Sequence, residues 1–189
     1  MKKIVIIFIF VIAKCLAIFS QENNLVVFFT DAITSSVPVY SNDTAIVSFT
    51  TIQEDTMREN WHDVELIAQS NTRYKVRITA INEENVAPII GWVDKEQCGV
   101  WFWGRLIKPE YYVVSLFHIP EQLYPFIKIT ERYPDSFDKY AITNSKAFPI
   151  LDYKLYNGKY WIKTIILKDK KKIIGWTTDY CPNVYGSCN

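Results

Sequence analysis

Between Arg73 and Ile78 apolar and charged positions alternate without a break: Tyr74, Val76 and Ile78 on one face, Arg73, Lys75 and Arg77 on the other. A period of two with one apolar face predicts a half-buried strand of an antiparallel sheet. KYWIKTII at 159–166 alternates less cleanly, which predicts a strand whose outer face is partly covered. Asn157-Gly158 lies between the apolar runs at 147–153 and 159–166. It predicts a two-residue hairpin, because both centres of such a turn need positive φ. No window outside the N-terminal run sustains a helical period, and EQLYPF near 121 makes at most one turn. The pattern predicts an all-β protein.

The same order of elements occurs twice. With Trp92 set against Trp176, VPVYS at 37–41 answers VVSLF at 113–117, and DVELIA at 63–68 answers AFPILDY at 147–153. The turns SNTR at 70–73 and YNGK at 156–159 lead into RYKVRI and KYWIKTII, and the copies close on PIIGWV at 88–93 and KIIGWT at 172–177. Inserts at about 42–60 and about 118–145 precede the central strands. Two such copies predict two small barrels of five short strands each.

The order strand, hairpin, Tyr-x-Val-Arg strand, loop and Ile-Gly-Trp-Val resembles the bacterial SH3-like (SH3b) domain. The resemblance covers about 30–98 and, more weakly, 110–181, where Lys163-Thr164 and Thr177 depart from the usual Val-Arg and Val. It implies two tandem SH3-like barrels, at 25–100 and 113–189, joined by an aromatic linker at 101–112. It also implies a binding role, since exported bacterial versions are associated with cell-wall peptides.

The first residues add an address. Lys2 and Lys3 precede an unbroken apolar run from Ile4 to Ala13. Ten helical residues reach about 15 Å, half of a bilayer's roughly 30 Å hydrocarbon core. The segment 1–20 therefore reads as a signal peptide, with a retained anchor or a lipid on Cys15 as lesser readings. The expectation is export to the periplasm or beyond, with no stable membrane span in the mature chain. Removing Lys2, Lys3 and Lys14 turns the balance of 21 basic against 20 acidic residues into 18 against 20, net −2. That balance points away from nucleic acid and from a polybasic membrane surface.

In an oxidising compartment Cys181 and Cys188, enclosing the turn formers PNVYGS, read as a disulfide that stops the tail from fraying. An eight-residue closed loop is worth roughly 2.5 kcal/mol by chain entropy. Cys98 stands at nearly the same place after its Gly-Trp as Cys181 does after the second, so pairings from Cys98 stay open beside a buried free thiol. Neither a Cys-x-x-Cys redox motif nor paired zinc-ligand spacing is present, so no metal and no cofactor is expected. Gly91 and Gly175 are expected to let backbone approach a neighbour or to bend the strand.

His62 and His118 are the two histidines, and no phosphate loop, Gly-x-Ser-x-Gly or His-Glu-x-x-His occurs. The expectation is a protein that is not an enzyme, with a Cys98-dependent hydrolase as a remote alternative. Binding through aromatic surfaces is the leading reading, to a cell-wall peptide or an envelope protein. The candidate groove residues are Tyr40, Trp61, Tyr74 and Trp92 in the first copy, Tyr153, Tyr160, Trp161 and Trp176 in the second, and Trp101 and Trp103 between them. The alternative is a structural or interaction subunit whose segment 98–106 is buried in an interface.

Overall fold

In the computed structural model the alternation of 73–78 becomes burial: Tyr74, Val76 and Ile78 are essentially inaccessible, and their neighbours are half-exposed. The structure describes residues 24–30, 35–54, 61–82, 85–108, 111–132, 137–142 and 147–181. The predicted signal segment 1–20, Cys188 and the PNVYGS turn lie outside them.

The described residues form an all-β structure. Its strands are β1 (Leu25–Phe29), β2 (Val37–Val39), β3 (Thr50–Ile52), β4 (His62–Gln69), β5 (Arg73–Ala80), β6 (Ile89–Asp94) and β7 (Cys98–Phe102). There follow β8 (Arg105–Lys108), β9 (Tyr111–Leu116), β10 (Ile127–Arg132), β11 (Phe148–Tyr156), β12 (Lys159–Lys168), β13 (Lys171–Thr177) and β14 (Tyr180–Cys181). A short 3-10 turn, Lys95–Gln97, links β6 to β7. The largest sheet runs β13-β12-β11-β7-β1-β4-β5-β6, with β14 also on β7; β8, β9 and β10 form a second sheet, and β2 and β3 a third. Among the described residues the pairings make an open path.

The duplication is present bond by bond. β4, β5 and β6 form an antiparallel meander, and so do β11, β12 and β13. Both leading strands carry a bulge at the same point, between Leu66 and Ala68 and between Ile150 and Asp152. Tyr40 bridges Trp92 as Phe117 bridges Trp176, each through two hydrogen bonds of 2.8 Å. Nine residues on, the amide of Phe49 donates to Val39 and that of Phe126 to Leu116, both at 2.9 Å.

Register corrects the sequence alignment by two residues. Gly91 faces Val76 and Gly175 faces Thr164, so Tyr74 corresponds to Ile162 rather than to Tyr160. Thr164 thus fills a core slot that holds Val76 in the first copy. Its hydroxyl donates to the Pro149 carbonyl at 2.8 Å, which satisfies a group that burial would otherwise leave costly. This explains why KYWIKTII alternates poorly.

β7 belongs to both copies. Phe28 and Phe29 of β1 pair with Gly99 and Cys98, while Val100 and Gly99 pair with Phe148 and Pro149 of β11. Trp101 and Phe102 then pair with Cys181 and Tyr180. β7 therefore ends the first copy and begins the second, as β14 ends the second. Its side chains divide accordingly. Cys98 and Val100 enter a core with Val27, Tyr74, Val76 and Val93, to which the second copy adds Ile150 and Ile162. Phe102 enters the other core, its ring centroid 3.9 Å from that of Phe148, beside Leu116, Ile129 and Ile166. The segment expected as an aromatic linker, 101–112, holds the end of β7, all of β8 and the start of β9.

Asn157 and Gly158 have φ of 49° and 73°, as the hairpin requires. Asp169 and Lys170, at 50° and 64°, make a second two-residue turn, closing Lys168 against Lys171. Gly91 and Gly175 serve close approach rather than turning. A Cβ on Gly91 would lie 2.3 Å from Val39 Cγ1, and one on Gly175 would lie 2.9 Å from Leu116 Cβ and 3.0 Å from Phe126 Cε1.

Candidate functional site

The aromatic residues singled out in the sequence do not gather into one groove. Tyr74 is buried beneath both copies, its hydroxyl donating to the Ile150 carbonyl at 2.9 Å. Burial, then the nearby Cys98, Asp152 and Tyr153, push its phenol far above the usual range. It is a joint between the copies and is withdrawn from any ligand surface. Tyr153 packs against it at 5.7 Å and against Tyr160 at 6.0 Å, and Tyr180 donates to the Tyr160 carbonyl at 3.3 Å. Burial, then Tyr160, raise the Tyr180 phenol to about 12. These tyrosines hold the junction together.

Tyr40 and Trp92 are half-buried at the base of the 41–49 loop, with the Arg73 guanidinium 3.5 Å from the Tyr40 ring centroid. Arg73 also pairs with Asp94 at 2.8 Å and donates to the carbonyls of Ala45 and Asn42, fixing that loop. By register, Trp161 occupies the position of Arg73, and it meets Phe117, the counterpart of Tyr40, edge-on at 5.2 Å. One copy thus clamps its loop with a cation and the other with a ring. Trp176 is 5% exposed, with the Lys154 ammonium 5.3 Å from its ring, so little of it is open to a ligand. Trp61 is half-buried at the start of β4.

Trp101 stacks at 5.7 Å on Phe28, its own counterpart in the first copy. Its indole N–H is buried and has no hydrogen-bond partner among the described residues. Trp103 is 51% exposed and touches Tyr112 at 6.4 Å. The run 98–106 is therefore mostly internal, apart from Trp103 and the exposed strand β8.

Cys98 is a free thiol with no measurable exposure, so the bridges from Cys98 to Cys181 or Cys188 do not form. Register adds a reason: Cys181 faces Trp101, three residues along β7 from Cys98, roughly 10 Å at strand rise and beyond the reach of a disulfide. Burial, followed by Asp94, drives the Cys98 thiol far above its usual range, the opposite of what a nucleophile needs. Among the described residues no group of three His, Cys, Asp or Glu side chains converges as a metal site would require, and no helix is long and apolar enough to cross a membrane.

Among the described residues, a concavity lies away from these aromatic rings. Where the β4–β5 turn and the 3-10 turn of the first copy meet β11 of the second lies a cleft of about 500 Å³. This first lobe is walled by Pro149, Ile150 and Leu151; a second, adjoining lobe of about 440 Å³ is polar, with Gln69, Ser70, Asn71, Asp152 and Lys163. Lys95 stands in both. Its ammonium donates to Gln69 Oε1 at 3.4 Å and to the Leu151 carbonyl at 3.5 Å, and lies 4.8 Å from the Tyr74 ring. Burial lowers its pKa, and Asp152 partly restores it. Sequence reading passed over Lys95, since a lysine after a Gly-Trp strand carries no signal until the two copies are placed side by side. The chain matches no protein-family model, no curated protein and no solved structure.

Proposed function

We propose that the protein is an exported, non-catalytic binding module built from two SH3-like units, which takes an extended peptide of the cell wall or of an envelope protein. Each unit would use five strands, with β7 counted in both: β1, β4, β5, β6, β7 and then β7, β11, β12, β13, β14. The pairings repeated in both copies support the SH3-like reading, together with the Tyr-x-Val-Arg and Gly-Trp residues. The observation that carries a binding role is the junction cleft, where an apolar wall stands beside Lys95 and Lys163. A bridge from the buried Cys181 to Cys188 would lock β14 onto β7. Titration with cell-wall fragments and extended peptides, followed by tryptophan fluorescence and amide shifts, tests the reading. Saturable shifts at 69–72 and 149–152 support it, and no saturable change at millimolar ligand ends it.

A structural subunit of an envelope complex is the second reading, favoured by β8. All four of its residues are exposed, Leu106 and Ile107 among them, with Trp103 and Tyr111 beside it. Trp103→Ala with Leu106→Ala separates the two: loss of an envelope partner with peptide binding intact favours the subunit.

A further inference from the structure

Among the described residues no carboxylate makes direct contact with either of the cleft's two ammonium groups, Lys95 and Lys163. Lys95 is held by two long hydrogen bonds to neutral acceptors, by the Tyr74 ring at 4.8 Å and by the field of Asp152, and burial still lowers its pKa. The Lys163 ammonium, in the same polar lobe, makes no hydrogen bond or ion pair among the described residues. Asp152 faces Lys163 across the β11–β12 pair but spends one oxygen on the Tyr153 amide at 2.9 Å. Asp94 is already matched by Arg73, and the exposed Glu96 stands on the wall of the other lobe. A half-buried ammonium with weak neutral partners gains more from an anion than a solvated one does. The apolar wall of Pro149, Ile150 and Leu151 lies next to that charge, and Leu151 is 37% exposed although it is in the bulge at the cleft's floor.

We infer that the junction cleft is a carboxylate site: Lys95 and Lys163 take a single carboxylate, and the Pro149–Leu151 wall takes the apolar group attached to it. The C-terminal residue of a peptide has this chemistry, so the inference rests on the binding-module reading and narrows its ligand to one with a free terminus. Glu96 and Asp94 on the apolar lobe oppose a second negative charge there. Both copies are needed, because Lys95 comes from the first and Lys163 and the wall from the second.

N-acetyl-leucine is the probe, with N-acetyl-leucinamide and acetate as controls. Binding is read from the amides of 69–72 and 149–152 and from the side-chain ¹³Cε resonances of Lys95 and Lys163. The acid shifts both sets saturably in the millimolar range, and the Lys95 pKa rises on binding. The amide and acetate each bind about tenfold more weakly or worse, since one lacks the charge and the other the apolar body. Lys163→Gln weakens the acid by about fivefold or more, as does Lys95→Gln. Lys163→Gln carries the test if Lys95→Gln disturbs the junction, which the β5 amides report. Equal binding of acid and amide overturns the inference, as does equal binding of acid and acetate, an unchanged Lys163→Gln, or the absence of saturation. If peptides bind while N-acetyl-leucine leaves the cleft silent, the carboxylate site is wrong and the module stands. If the acid binds and no peptide does, the site stands without the module.

Discussion

Gly91→Ala tests the packing on which both copies depend. Gly91 lies under the crossing of β2 over β6, and an added Cβ would stand 2.3 Å from Val39 Cγ1, 3.1 Å from the Tyr40 carbonyl oxygen and 3.2 Å from the Phe49 ring. Val39 is fully buried and β-branched, so its methyl group cannot swing aside freely. Overpacking of this kind costs about 1–3 kcal/mol, and the contact at Val39 places Gly91→Ala near the upper end. Val39→Ala alone removes two buried methyl groups and should cost about 2–3 kcal/mol. In the double variant the clashing methyl is gone, so the combined loss should fall short of the sum by about 1 kcal/mol or more. Gly175 gives the control, because its contacts are Leu116 Cβ and the Phe126 ring, atoms that Leu116→Ala retains. Gly175→Ala with Leu116→Ala should therefore be additive to within about 0.5 kcal/mol. Urea unfolding of the six variants and the parent supplies every term. A Gly91→Ala variant as stable as the parent, or strict additivity at 91 and 39, refutes the reasoning.

Three further outcomes are expected. Cys98 in the native protein should resist iodoacetamide, with a labelling rate set by unfolding; rapid modification of folded protein would contradict its burial. Lys170→Gly should stabilise by about 0.5–1 kcal/mol in thermal or urea unfolding, since φ of 64° strains any residue with a Cβ. Asp179 has its pKa raised by burial, against the Ser115 amide and Arg105, which lower it. A carboxyl with a raised folded-state pKa favours the folded state at low pH and loses that contribution as pH rises through the folded value. Asp179→Asn should therefore be more stable than the parent at pH 7, with the difference disappearing near pH 3, as two unfolding series would read.

What could be read from the sequence was what depends on neighbours along the chain. The alternation at 73–78, the Asn157-Gly158 turn and the two Gly-Trp strands each carry their own signal, and each is found in place. β1 was not legible, because LVVFF has no alternation: consecutive side chains are buried, so both faces meet protein. The double duty of β7 was hidden for the same reason, its consecutive apolar residues being shared between two cores. The turn at Asp169-Lys170 lacks the glycine that announces such turns. At the site, aromatic density misled. Tyr74, Tyr153 and Tyr160 are dense because they join the copies, and the open cleft beside them is lined by lysine, asparagine and proline, which sequence alone assigns to turns.

Because β7 pairs with both β1 and β11, the two copies should open as one cooperative body. Native-state hydrogen exchange on a Val76→Ala variant tests it most directly, because Val76 lies in the first core and the amide of Ile166 in the second copy's. The slowest amides of β5 and β12 should lose the same free energy of opening, about 1–3 kcal/mol. Loss confined to β5, with Ile166 and its neighbours exchanging as in the parent, would mean that the copies unfold independently and would contradict it.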